Sequence, residues 1–507
     1  MGRPRVAATL RALNEALGRP AALWVKESGA RNLRHRDFLA PRAALSAAFP
    51  GGQVPPEAVS MVPSLRGPAV LPLRVCRHTP AGLTVQVRRP EAFQRLLGPL
   101  PGPDCPAEGA RASCVVLHCP ALRGPAALRP RHLRSILLAD HLGQLLRAQG
   151  VEVCLVPALS QERSWEVLRQ LRIDWPSGSG CSSFPDAVSA LKAALGQCSC
   201  ATACEQGPGP AEGVICKVHL KSFMDSIPCC ALLQAKGQSS CCSIVHVVNC
   251  EEEFQQQQLD VLWRILDPGK HLICGPVKVT NPSSTTTEIP GPGRGVLGAG
   301  CVSTWEWSKL CMMPPTFSTD EAWTEVIDTL TVAAIRFEML STAHRSQVGQ
   351  QLNNSISTKG TKSGAFVMYN CARLATLFDS FERAVEQGEH QLHHHPLTAT
   401  PQATGASLGT MGEWLLLFNY LLPFPEVLQQ TSQNSLYHQN VSALQVCKFL
   451  IQLSMDFSSY YNRVHVLGEP FPHLFDQMFA RLRLLGAVRD VFHSALATLH
   501  LPPLSQI

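Results

Sequence analysis

Two stripes of apolar residues near the C-terminus set the strongest constraint on how this 507-residue chain folds. Val441, Leu444, Cys447, Phe449, Leu450, Leu453 and Phe457 recur mostly at spacings of three and four, and Phe479, Leu482, Leu485, Val488, Phe492 and Leu496 do the same. An α-helix stacks residues three and four apart on one face, so each stripe predicts an amphipathic helix with a side that must be covered. Two such helices in succession make the end of the chain an all-α bundle. The stripes explain a fold and carry no ligand information.

Upstream the period changes. Val115, Val116, Leu117 and His118 predict a short buried strand, residues 132–146 an amphipathic helix ending near Gly150, and residues 151–156 a second strand, which together make a βαβ unit. Residues 243–250, 254–262 and 272–277 resemble a strand, the helix after it and the next strand in the class I catalytic domain of arginyl-tRNA synthetases, which implies that the α/β sheet continues. The Pro-, Gly- and Ser-rich stretch from Trp175 to Pro210 breaks this pattern and reads as a loop or insertion. At 507 residues and 45% hydrophobic content the chain supports about three domains, taken as 1–110, 111–324 and 325–507.

Charge separates the first of these from the rest. Residues 1–150 hold 21 Lys and Arg against 8 Asp and Glu, a net of +13, whereas the entire chain carries only +6. Nearly all of these cations are arginines, whose planar fork suits phosphate better than an ammonium does. A general drift toward Arg, Ala, Pro and Gly would give the same count. Val6, Leu10, Leu13 and Leu17 form an apolar stripe beside Arg3, Arg5, Arg11 and Arg19, which reads as an ordinary first helix; a mitochondrial presequence is the alternative, and Glu15 speaks against it. No apolar stretch approaches the roughly 20 residues needed to span a bilayer. Twenty cysteines over this length, with no signal core, fit reduced thiols and a cytoplasmic protein. Cys181, Cys198, Cys200 and Cys204 lack the paired spacing of a zinc knuckle, as do the adjacent pairs Cys229-Cys230 and Cys241-Cys242. His390, His393, His394 and His395 could bind metal but lie in a Pro- and Thr-containing segment that reads as an insertion. No metal or cofactor is expected.

Residues 364–374 contain Tyr369, Ala372 and Arg373 in a Y-x-x-A-R pattern, with the ring and the guanidinium on one helix face. Such a pair can stack a splayed base and reach its phosphate, although a core tyrosine beside a solvated arginine has the same spacing. Residues 449–462, ending in Ser459-Tyr460-Tyr461-Asn462, and 479–489, reading F-A-R-L-R-L-L-G-A-V-R, follow in order. These three segments resemble the signature stretches of the DALR anticodon-binding domain of arginyl-tRNA synthetases, and residues 332–341 resemble the helix leading into it. The tail at 499–504 resembles the family's closing Leu-Gly-Pro segment, with His500 where the glycine stands. The resemblance implies an RNA-reading face formed by Tyr369, Arg373, Tyr461, Asn462, Arg463 and Arg489. It also implies that the N-terminal domain touches a tRNA elbow, which nominates Arg34, Arg36, Arg88, Arg89 and Arg95 as phosphate contacts.

The central region resembles the class I catalytic domain of the same family with its signatures broken. At the H-x-G-H motif stand Arg129, Pro130, Arg131 and His132, so a bulky side chain occupies the place where only glycine lets a nucleotide approach a helix N-terminus. The lysine-rich loop of the family is replaced by residues 279–288, V-T-N-P-S-S-T-T-T-E, which contain no lysine. Losing one positioned cation typically costs about 10² to 10³ in rate. The implied architecture is therefore a degenerate Rossmann-like synthetase domain, α/β, followed by an all-α DALR bundle. The implied function is non-catalytic: recognition of arginine tRNA, with the tRNA presented to a separate tRNA-modifying enzyme such as a methyltransferase acting on an anticodon-loop base. No glycine-rich strand-to-helix turn for a methyl donor is present in this chain. A residual arginine-tRNA ligase and a scaffold without RNA binding are the alternatives.

Overall fold

The computed structural model describes residues 3–18, 25–97, 114–122, 130–148, 150–158, 162–176, 242–258, 270–277, 321–343, 346, 364–387, 408–428, 443–468 and 471–506. Arg129, the 279–288 loop, Cys181, Cys198, Cys200, Cys204, Cys229, Cys230, Cys241 and the His390–His395 tract lie outside the described residues.

The N-terminal unit is an antiparallel sheet with helices around it. Its strands β1 (Lys26–Glu27), β2 (Phe38–Pro41), β3 (Leu73–Thr79) and β4 (Gly82–Val87) lie in the order β1-β2-β4-β3. Helices α1 (Val6–Ala16), α2 (Arg42–Ala48), α3 (Pro56–Met61) and α4 (Arg89–Leu97) complete it. Val6 and Leu13 of α1 are buried, and the α1 side chains accept from two distant amides, Thr9 Oγ1 from Leu71 at 2.9 Å and Asn14 Oδ1 from Val25 at 3.3 Å. The apolar stripe of α1 is thus an internal packing face of the folded domain. The sheet's outer strand β3 exposes Arg74, Arg77 and His78, charge of the kind that discourages pairing at an open edge.

The central unit is a parallel sheet in the order β6-β5-β7-β8, from β5 (Cys114–His118), β6 (Glu152–Val156), β7 (Cys242–Asn249) and β8 (Lys270–Val277). Helix α5 (Pro130–Arg147) crosses from β5 to β6, and α6 (Glu162–Gln170) follows. Val115, Val116 and Leu117 are all buried in succession, which is how a strand covered on both faces reads. Helices α7 (Glu321–Leu340), α8 (Gly364–Glu386), α9 (Met411–Leu416), α10 (Ala443–Tyr461) and α11 (Phe475–Ala497) form the C-terminal bundle, with α9 running into a π-helical turn over Leu417–Leu421. Leu450, Leu453 and Phe457 of the first stripe and Phe479, Leu482, Leu485, Val488 and Phe492 of the second are buried. At the start of α8 a Cβ on Gly364 would fall 2.3 Å from the Ala333 carbonyl oxygen, so only glycine lets α8 abut α7 so closely. No described helix is long and apolar enough to cross a membrane.

A buried polar cluster fastens the parallel sheet to the bundle. Arg336 on α7 and Asp140 on α5 are fully buried and paired at 2.8 Å, and the same guanidinium donates to the Leu171 carbonyl through Nε and Nη2 at 3.2 and 2.8 Å. His500 from the tail closes on the carboxylate, its Nδ1 2.9 Å from Oδ1. His500 has φ +51°, in the left-handed region where glycine is at ease, and its hydrogen bond to Asp140 holds the side chain there. Arg134, one helical face earlier on α5, donates to the carbonyls of Met339, Thr342, Ala343 and Ser346 and so satisfies the C-terminal end of α7. Burial pushes its guanidinium down to about 10.

Removing one partner of a buried pair leaves the other uncompensated, so Asp140→Ala should lower unfolding free energy by about 3–5 kcal/mol, read as a shift in denaturant midpoint. His141, whose Nδ1 donates to the Thr498 carbonyl at 2.7 Å, is held down to about 4 by burial, the carbonyl bond only partly opposing this. An unfolded histidine titrates near 6.5, so the unfolded state takes up the proton first and stability falls as pH drops from about 6.5 to 4, by roughly 3 kcal/mol. Burial raises the Asp140 carboxyl, but the Arg336 and His500 charges reverse this and hold it below the ordinary range. A further loss therefore follows once pH falls through the carboxylate range. Chemical denaturation across this window should show the upper segment flatten in His141→Asn, which keeps a donor and removes the titration.

Candidate RNA-reading surface

The residues singled out on α8 and at the end of α10 converge on one guanidinium. Arg373 donates from Nη2 to Asn462 Oδ1 at 2.8 Å and from Nη1 to Ser458 Oγ at 3.2 Å. Its Cζ lies 4.3 Å from the ring centre of Tyr461 and 5.4 Å from that of Tyr369. Two of the five N–H donors are thereby occupied among the described residues, and the others have no partner there. Tyr369 is 43% exposed, an unusual placement for so large a ring, and Asn462 is exposed beside it. A fixed guanidinium with open donors between two aromatic rings can accept a base by stacking and a phosphate or base edge by hydrogen bonding. Sequence reading missed Ser458, which precedes Asn462 by one helical turn and so faces the same way.

Arg463 is exposed on the next turn, its Nε donating to the Ser459 carbonyl at 2.9 Å. Arg489 sits apart on α11, its guanidinium 4.2 Å from the ring centre of Phe378, and makes no hydrogen bond to the Arg373 cluster. Among the N-terminal arginines, Arg34 is exposed, Arg36 is half-buried, and Arg88 is exposed with one ion pair to Glu91 at 3.5 Å.

Arg89 and Arg95, nominated as phosphate contacts, have their guanidiniums taken by the protein itself. Arg95 donates to the carbonyls of Gly67, Pro68 and Val70, closing the loop ahead of β3. Arg89 donates to the Leu33 carbonyl, lies 3.7 Å from the Asp37 carboxylate and sits 5.0 Å over the Trp414 ring. Asp37 is buried and receives the Val87 amide at 2.7 Å and the Trp414 indole N–H at 2.8 Å. Burial raises its carboxyl, with these donors and Arg89 opposing. Phe93 against Trp414 and Phe38 against Phe418 extend the contact, so the N-terminal sheet is docked on α9 of the bundle.

At the topological switch of the central sheet, between β5 and β7, buried polar side chains meet. Register pairs His118 with His246, and their Nδ1 atoms stand 2.8 Å apart with the rings edge to face. Gln256 Nε2 approaches His246 at 3.3 Å, and Ser135 Oγ donates to Asn249 Oδ1 at 2.8 Å across the helix entrance. Arg131 is part of α5 and its side chain lies outside the described residues; His132 is half-buried on the same turn. Among the described residues no group of three or more His, Cys, Asp or Glu could hold a metal ion.

Comparison with known proteins gives a matching architecture. Residues 4–102 match the model of the DALR N-terminal domain and residues 367–507 that of the DALR anticodon binding domain. Relatives called DALR anticodon-binding domain-containing protein 3 are 44% identical in Rattus norvegicus, over 100% of this chain and 99% of the relative, and 39% identical in Danio rerio, over 96% and 94%. Among solved structures, the arginyl-tRNA synthetase of Plasmodium falciparum aligns with a TM-score of 0.64 at 12% identity over 100% of both chains. That of Thermus thermophilus aligns with a TM-score of 0.59 at 16% identity, over 99% of this chain and 100% of its own. At such identities the two enzymes establish the fold alone.

The split among the arginines is measurable. Arg89→Ala should cost about 2 kcal/mol in urea unfolding through lost bonds and ring contact, whereas Arg34→Ala should stay within about 0.5 kcal/mol of the parent.

Proposed function

The chain belongs to the DALR anticodon-binding domain-containing protein 3 family, and we propose that it reads arginine tRNA without aminoacylating it. In this reading it is the specificity subunit of a tRNA-modifying enzyme, with methylation of an anticodon-loop base as the reaction. The observation that carries the proposal is a contrast within one molecule. The Tyr369–Arg373–Tyr461–Asn462 cluster is assembled and open on a DALR domain, while between β5 and β7 the buried His118, His246 and Gln256 bond to one another.

The chemistry follows from what each part offers. Stacking on Tyr369 and hydrogen bonding to Arg373 favour a splayed, single-stranded loop, where base edges are accessible. Arg34, Arg36 and Arg88 add cationic charge at the surface of the docked N-terminal domain, suited to the phosphates of a folded RNA. A protein that grips both ends of a tRNA controls which loop bases a second enzyme can reach. The partner supplies the reacting groups and the methyl donor. An arginine, Arg131, at the position where the resembled motif carries glycine disfavours adenylate formation.

Crosslinking in cells, followed by sequencing of the recovered RNA and identification of co-purifying proteins, tests the reading. Arginine tRNAs together with a methyltransferase are expected, and recovery of no particular RNA would overturn it. Tyr369→Ala combined with Arg373→Ala should weaken tRNA retention about 10- to 100-fold and reduce the modification. His132→Ala should change neither, and the purified chain should give no arginine-dependent exchange of pyrophosphate into ATP. Arg34→Ala and Arg88→Ala should each lower the slope of log affinity against log salt by about one.

A further inference from the structure

The open cluster is held in place by residues that lie outside it. Tyr461 is the last residue of α10 and Asn462 follows it, immediately after Tyr460, which is buried. The Tyr460 carbonyl accepts the amides of Arg463 at 3.0 Å and Val464 at 3.1 Å, which closes the helix end. Wherever Tyr460 is fixed, Tyr461 and Asn462 are fixed one and two residues on.

Three side-chain conditions fix Tyr460. Its hydroxyl approaches Glu413 Oε1 at 3.5 Å. Arg481 on α11 donates from Nε to the same oxygen at 2.9 Å. On the ring's other flank, a Cβ on Gly412 would fall 2.7 Å from Tyr460 Cδ2, so the ring packs on a bare glycine backbone. Glu413 is itself immobilised: it is fully buried, and Oε2 accepts the amides of Gly409 at 3.0 Å and Thr410 at 2.9 Å in a capping box at the start of α9. One carboxylate thus terminates α9, pairs with α11 and meets the ring that ends α10.

We infer that Glu413 is a positioning residue for RNA reading, acting through Tyr460 on the Tyr461–Asn462–Arg373 cluster and touching no RNA itself. The inference rests on the reading of that cluster as an RNA site. Its specific content is the route. Glu413→Gln keeps the shape and weakens the charge-assisted bonds to Arg481 and the two amides. Loosening Tyr460 then shifts Asn462 away from Arg373 and lets the guanidinium swing off the Tyr461 ring.

The test is a double-mutant cycle on the full chain, with a synthetic hairpin carrying an arginine-tRNA anticodon loop as the probe and thermal unfolding recorded in parallel. Glu413→Gln should weaken hairpin binding about 10-fold in the parent, and by less than about 2-fold in an Arg373→Ala background, because residues acting through one another are not additive. Equal losses in both backgrounds would assign Glu413 a general structural role and overturn the inference, as would unchanged binding in Glu413→Gln when Arg373→Ala reduces it. If the parent itself fails to bind the hairpin, the RNA-reading assignment falls and the inference with it. Should Glu413→Gln not fold, Arg481→Lys, which retains the charge and loses the fixed Nε donor, enters the same cycle with the same criteria.

Discussion

The ion pair between Arg336 and Asp140 is the contact on which the arrangement of the larger pieces depends. It lies where the parallel sheet's crossing helix, the first helix of the bundle and the chain's tail meet, and it is fully buried. A lone pair of charges there would gain little, because desolvation consumes most of their attraction. Here the other guanidinium bonds end on the Leu171 and Arg172 carbonyls, and His500 takes up the carboxylate's other side, so each charge is hydrogen bonded on several sides. Arg134 adds a second tie between α5 and the end of α7 through backbone carbonyls. Two arginines therefore act as mechanical fasteners between the parallel sheet's crossing helix and the first helix of the bundle.

The N-terminal unit is tied in by a different physics. Asp37, Arg89 and Trp414 combine a buried carboxylate, a guanidinium and an indole, with Phe38 and Phe93 supplying apolar cover. A surface cation counted from sequence turns out to be part of this joint. Counting charge registers how many arginines a segment holds and says nothing of which carbonyls lie near them. Arg89 and Arg95 were for that reason indistinguishable from Arg34 and Arg88 in the sequence.

Elements whose pattern is local were readable. The stripes of α10 and α11, the βαβ unit and the Tyr369/Arg373 spacing all follow from periodicity within a few turns. The antiparallel N-terminal sheet was not readable: β1 has two residues, and the β3–β4 pairing shifts register between Leu73 and Val75. Periodicity alone could not close the candidate site, because Arg373 and Asn462 are 89 positions apart and nothing in either segment encodes the other; only the family resemblance set them on one face. The same holds for the His118–His246 contact, fixed by strand register across 128 positions. His500 is the opposite case: its substitution for glycine was plain in the sequence, and only the fold supplied Asp140 as the reason.

The docking of the first domain on the last has a consequence for how the chain comes into being. Asp37 and Trp414 are 377 positions apart, so during synthesis the first sheet leaves the ribosome long before its covering helix exists. At ordinary elongation speeds of about 5–20 residues per second that interval is roughly 20 to 75 s. Throughout it Asp37 keeps the Val87 amide and Arg89 but lacks the Trp414 indole, and Phe38 and Phe93 lack their aromatic partners on the bundle, an aromatic and polar surface suited to capture by a holding chaperone. The arrival of the α9 segment from the ribosome, more than local folding speed, sets the moment at which the first domain can dock.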